Sequence, residues 1–288
     1  MIYLILAISC STFNHLLFKA LARYKVDLLS VVTVNYGVCI VIGYNSLPPN
    51  ALLQSIFSQP WYPISIVQGT LFVICLLLIG RTTHKHGVAV ASVATRLAVV
   101  LPTVAAFFLY ADPVTAVKVI GITAAMLALY LSGTAAKESA HKLPSISMLP
   151  VFLFLFFGTH STLLKYVQER FLDKGSYHTY VMASFCAALV VSCVFLAWKL
   201  RKNHKIFRWQ ELVCGVILGC VSYGAVYFLV RALSVPGWQS SQLFPTISIS
   251  IVVFSSFGAW IVFKERIHRQ MIAAIAIGAA AIILINLS

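Results

Sequence analysis

The sequence predicts an all-α integral membrane protein with ten transmembrane helices in two inverted five-helix repeats. Three observations carry that prediction. Hydrophobic residues make up 60% of the 288-residue chain and charged residues only 10%, against about 25% charged in an ordinary soluble domain. Ten apolar stretches, each about 17–25 residues long and so able to cross a bilayer, follow one another with short connections. Finally, motifs recur at a nearly constant offset. Lys19 and Lys165 close the matching runs HLLFKAL and STLLKYV, 146 residues apart. Arg81 and Gly87 recur as Arg231 and Gly237, 150 residues on. Asp112 stands before PVTAVKVIGITAAML as Glu265 stands before RIHRQMIAAIAIGAA, an offset of 153. Small loop insertions make such offsets drift. The repeats are therefore 1–137 and 146–288, and an odd number of spans in each turns one half upside down relative to the other.

In order, the spans are 2–19, 28–46, 63–82, 88–110, 115–133, 146–167, 177–198, 211–233, 239–263 and 268–287. Each must be helical, because backbone groups in lipid have to be bonded internally. The first lacks a basic leading region and a small-residue cleavage site, so it reads as a retained helix and not a signal peptide. The second carries Asn35-Tyr36, and the proline-bearing stretch 47–63 separates it from the third. The fourth holds Arg96, nine residues past Gly87. That is about 13 Å along the helix, near the middle of a hydrocarbon core about 30 Å thick. The sixth holds His160-Ser161 and Lys165, the eighth Tyr223 and Tyr227 at helical spacing, and the ninth opens on Trp238-Gln239-Ser240-Ser241 before Pro245.

The net charge of +14 follows membrane topology and gives no reason to expect nucleic acid. Fifteen lysines and arginines fall on the side of the odd-numbered connections and five on the other, with Arg96 inside a span. The positive-inside rule puts the fifteen in the cytoplasm and both termini outside. All seven cysteines lie in apolar spans without a C-x-x-C pair, and read as buried small hydrophobes.

Phosphate-cradling motifs are absent, so the chain has no ATP-hydrolysing part of its own. No cofactor is expected. His84 and His86 flank Lys85, but a cation between them and the lack of a third ligand speak against a metal. The seven acids sit mostly near span ends, which weakens a hydrolase or acyltransferase reading. The chain is therefore not expected to be an enzyme.

Ionisable residues inside a membrane are costly and default to functional candidates. Arg96 at mid-span costs about 2.5–3.5 kcal/mol on insertion scales, so it should face a wet cavity or a partner. His15 and Lys19 share a helix face at i, i+4, and Ser161 and Lys165 repeat that spacing. Asn14 and His160 stand five residues before the two lysines. The expected substrate-binding set is Asn14, His15, Lys19, Asn35, Arg96, His160, Ser161, Lys165 and Ser241, around one central cavity. Its deep charges are all basic, so an anionic or zwitterionic small molecule follows by complementarity. Asp112 and Glu265 are expected to be structural, bonding free amides where one helix ends and the next begins.

The pieces FNHLLFKAL, VNYG, GVAVASVATRLAVVLP, SYGAVYFLVRAL, SSQLFP and FKERIHRQMIAAIAIG resemble the EamA-like branch of the drug/metabolite transporter superfamily, over nearly the whole chain. The resemblance implies ten helices in two inverted repeats around a central cavity, and a secondary transporter, an exporter of small polar metabolites such as amino acids or organic anions. It also implies ion or proton coupling and a bacterial inner membrane, as monomer or homodimer. Four departures stand out. The first helix has no acid, unlike the related small multidrug exporters. His160-Ser161 stands where close relatives carry an acid, and Asp112 where members usually show glutamate. The termini-outside topology also differs from that of many members. A flippase for a lipid-linked polar group is the second reading within this fold. A membrane enzyme or a non-transporting scaffold belongs to other classes.

Overall fold

The structure is a computed structural model that describes residues 2–23, 26–47, 56–86, 88–109, 115–134, 148–173, 176–203, 208–234, 240–263 and 269–286. Among these residues the secondary structure is helical and no strand occurs. The helices are α1 (Ile2–Arg23), α2 (Leu28–Asn45), α3 (Tyr62–His86), α4 (Val88–Leu97), α5 (Val100–Leu109), α6 (Ala116–Thr134), α7 (Leu149–Phe171), α8 (Tyr177–Asn203), α9 (Trp209–Leu233), α10 (Ser240–Phe263) and α11 (Arg269–Asn286).

Six helical segments are long and apolar enough to cross a membrane: Leu28–Asn45, Tyr62–Thr82, Leu149–Phe171, Tyr177–Arg201, Trp209–Leu233 and Gln242–Val262. Four shorter apolar segments accompany them, Ile2–Phe18, Ala94–Leu109, Ala116–Leu131 and Ile272–Leu284. Large apolar side chains cover their outer faces. Val190 and Val194, one turn apart on α8, are both about two-thirds exposed, and Phe108 is 83% exposed. Continuous apolar surface of this kind suits lipid, not water. Trp198 and Trp209 are exposed near Lys199, Arg201 and Arg208, as aromatic anchors at a membrane interface are. The chain is a polytopic helical membrane protein.

The predicted span 88–110 is two helices. Pro102 has no N–H, and its ring crowds the carbonyl four residues back, that of Ala98. The backbone tightens there into i→i−3 bonds, Val99 N to Arg96 O at 3.4 Å and Leu101 N to Ala98 O at 3.1 Å, before Thr103 N resumes the α pattern to Val99 O.

The chain forms two compact units, each drawing on both halves of the sequence: Met1–Ile74 with Leu163–Ser234, and Cys75–Thr162 with Val235–Ser288. In the first, α9 packs on α1, α2 and α8, and α2 packs on α8. Small residues set the spacing. A Cβ on Gly215 would lie 2.5 Å from Val34 Cβ and 2.7 Å from Val31 O, and one on Gly219 would lie 2.6 Å from Val38 Cβ. This is the small-xxx-small contact that lets membrane helices touch backbone to backbone. Phe185 fills the centre, with rings of Phe72, Tyr36 and Tyr223 at 5.5, 5.9 and 6.4 Å. In the second unit, α6 packs on α4, α10 and α11, and α10 packs on α5 and α11. Its core gathers Ala125, Leu129, Ile249, Val252 and Ala281.

One end of the first unit is closed by a polar network. Glu211, 5% exposed, accepts from Asp27 N at 3.0 Å and from Arg208 N at 3.2 Å. Asp27 accepts from Lys199 Nζ at 2.5 Å and from Ser30 Oγ at 3.0 Å. The N-termini of α2 and α9 and the C-terminal part of α8 are thereby tied together, and a carboxylate at each helix start favours the positive end of its dipole. Asp112 and Glu265, expected to do this work, lie outside the described residues. The tied end is the one the charge bias assigns to the cytoplasm. In a cysteine-free background, a cysteine at exposed Gln59 should react with a membrane-impermeant maleimide added to intact cells. One at exposed Arg201 should react only after permeabilisation. The reverse pattern would invert the topology.

Candidate functional site

The residues expected to bind substrate divide between the two units. Asn14, His15, Lys19, Asn35 and Lys165 belong to the first, and Arg96, His160, Ser161 and Ser241 to the second. The side chains of Lys19 and Ser241 lie outside the described residues, though both positions are helical.

In the first unit, Asn14 Oδ1 accepts from Ser222 Oγ at 3.3 Å, joining α1 to α9. His15 is exposed. Asn35 is 4% exposed, and its Oδ1 has no hydrogen-bond partner among the described residues. Such an oxygen in an apolar helix is costly and marks where a polar group would be welcome. Lys165 is 5% exposed. Its ammonium donates to Gln168 Oε1 at 2.7 Å, to Glu169 Oε2 at 2.6 Å and to Leu233 O at 3.2 Å. Three donors meet three acceptors, and one of them is an end carbonyl of α9, which otherwise lacks an intrahelical partner. Lys165 thus clamps the end of α9 to α7, while the Glu169 side chain stays 50% exposed.

In the second unit, Arg96 is half-buried in the last turn of α4, two residues before the break at Ala98. His160 lies 6.1 Å from the ring of Phe157. Ser161 Oγ donates to its own helix at Phe157 O, 3.1 Å. Close packing holds this part of α7: a Cβ on Gly158 would meet Ala98 O at 2.9 Å.

Two further groups in the first unit were not singled out by sequence. Arg231 Nη1 donates to Tyr227 OH at 3.0 Å, and its guanidinium carbon lies 4.5 Å from the ring centre of Tyr3. The His178 ring lies 4.0 Å from that of Tyr227, with Nδ1 2.7 Å from Tyr223 OH. The sequence signal was the spacing Tyr223, Tyr227, Arg231, each one turn from the next. The second group is a depression of about 310 Å³ lined by Ile56, Gln59, Trp61, Phe171, Asp173, Ser176 and Thr179. Trp61 Nε1 there is buried without a hydrogen-bond partner among the described residues. No cluster of three metal-ligating side chains occurs among the described residues.

The fold and these intramembrane polar groups define a polytopic membrane protein with polar groups held inside apolar helices. No family model matches the chain. An uncharacterised protein of Haemophilus influenzae is 23% identical over 274 residues, covering 92% of this chain and 91% of that protein. A protein of known crystal structure superposes with a TM-score of 0.73 at 14% identity, over 99% of this chain and 96% of its own. The fold is shared with that protein.

Proposed function

We propose that the chain is a secondary transporter, an exporter of small anionic or zwitterionic metabolites such as amino acids or organic anions. It would act by alternating access in a bacterial inner membrane, as a member of the EamA-like branch of the drug/metabolite transporters. The observation that carries the reading is the interrupted fourth span, with a half-buried arginine beside the break. Transporters build solute sites from discontinuous membrane helices, whose unsatisfied backbone groups and inserted charges can meet a solute. An arginine at such depth is retained at a cost of about 2.5–3.5 kcal/mol, which a solute-binding role would explain.

The ten-span, inverted-repeat architecture draws support from helix pairing. Helices separated by the repeat offset pack on each other: α2 on α8, α5 on α10 and α6 on α11. A two-fold axis relating the halves would bring the helices nearest to it beside their own counterparts in this way.

In this reading Arg96 grips the solute carboxylate in a two-pronged manner. Arg96→Gln should raise the apparent KM for an anionic substrate by about tenfold or more, the scale of losing one charge-assisted hydrogen-bonded pair. Membrane abundance should stay near wild type. Transport kinetics in proteoliposomes decide it: an unchanged KM removes Arg96 from the site.

A further inference from the structure

We propose that Arg231 and the rings around it form a binding site for the carboxylate of a flat, ring-bearing organic acid. None of the residues expected from the sequence to bind substrate belongs to it. The guanidinium is half-buried and is surrounded by tyrosines from three helices. Ring centres of Tyr3 on α1, Tyr227 on α9 and Tyr177 on α8 lie 4.5, 5.7 and 5.9 Å from its central carbon. Among the described residues no carboxylate comes within 4.0 Å of it.

Among the described residues the charge therefore meets only π-faces and the Tyr227 hydroxyl. The π-faces attract a cation but accept none of its in-plane N–H groups well. A guanidinium carries five N–H donors, and one is taken by Tyr227 OH. The others have no protein acceptor among the described residues, and their planar fork fits a carboxylate. Where His178 Nδ1 accepts the Tyr223 hydroxyl across 2.7 Å, the proton of the neutral ring sits on Nε2.

The walls select the rest of the ligand. Tyr227 stacks on His178 at 4.0 Å and on Tyr223 at 6.0 Å, and Tyr3 stacks on Phe228 at 6.4 Å. Such surfaces suit a flat ring and offer little to a compact, strongly hydrated phosphate. The site lies at the end of the unit where Lys165 clamps α9, two residues from Arg231. Lys165 therefore fixes the helix that carries the cation without touching the ligand.

The proposal concerns binding and stands apart from transport, so its test needs no flux. Purified full-length protein in neutral detergent is titrated with labelled benzoate by equilibrium dialysis. Benzyl alcohol, inorganic phosphate and phosphatidylglycerol serve as competitors. Benzoate should bind saturably, with neither benzyl alcohol nor phosphate displacing it. Arg231→Gln should weaken binding about tenfold or more, and Arg231→Lys should retain part of it. Should Arg231→Gln fail to fold, Tyr3→Leu removes the nearest ring while keeping apolar bulk, and it should weaken benzoate severalfold. Absent binding, or binding unchanged by the available variant, overturns the proposal. So does displacement of benzoate by phosphatidylglycerol, which would make this a lipid headgroup site. A variant that melts earlier but binds benzoate as well as wild type assigns Arg231 a packing role and also overturns it.

Discussion

Gly69→Ala should cost about 3 kcal/mol or more, the upper end of what overpacking costs, although it adds a single methyl group. The added Cβ would drive into Ser184 O and stand 2.7 Å from both Ala187 Cβ and Ala188 N. Two of those three atoms are backbone of α8, which cannot rotate away as a side chain would. The helices must separate, and the core around Phe185 would open with them. Gly37 and Gly80 provide the control, since a Cβ at either meets nothing within 4 Å. Alanine there should be neutral or stabilising by up to about 1 kcal/mol, the helix propensity gain over glycine. Melting of the purified variants in detergent separates these cases. A Gly69→Ala protein that melts with wild type would show that α3 and α8 are not in backbone contact.

Glu211→Ala should lower stability by about 2–4 kcal/mol, because two amides lose a charged acceptor at once. One amide belongs to the start of α2 and the other to the start of α9, so two helix ends loosen together. Glu211→Gln keeps one acceptor oxygen and should lose roughly half as much. Abundance in the membrane should fall in the same order, while the KM of the protein that remains stays unchanged. A loss of transport at full abundance would make Glu211 a functional acid instead.

The helices were legible in the sequence because apolar length is a local property. The break in the fourth span was not, since a hydropathy window averages over Pro102 and ignores the missing N–H. Lys165 stood out as a buried cation, and its partner Glu169 lay one turn ahead in plain view. What sequence alone hid was Leu233 O, 68 residues away, which gives the clamp its purpose. The acids show the same limit. Asp27 and Glu211 are 184 residues apart, and nothing local marks either as the other's partner. Position at a span end drew attention to Asp112 and Glu265, whereas the described carboxylates that tie helix starts are Asp27 and Glu211. The arginine among tyrosines was half visible: Tyr223, Tyr227 and Arg231 share one face of α9, but Tyr3 and His178 reach them only through the packing of α1 and α8 on α9.

Uptake into liposomes containing the purified protein, with a panel of labelled amino acids and organic anions, tests the central claim most directly. Transport predicts saturable accumulation of at least one anionic or zwitterionic solute over protein-free liposomes, weakened by Arg96→Gln. No flux of any solute from a protein that is folded by its melting curve would contradict it. Scrambling of a labelled lipid in the same vesicles would then point to a flippase.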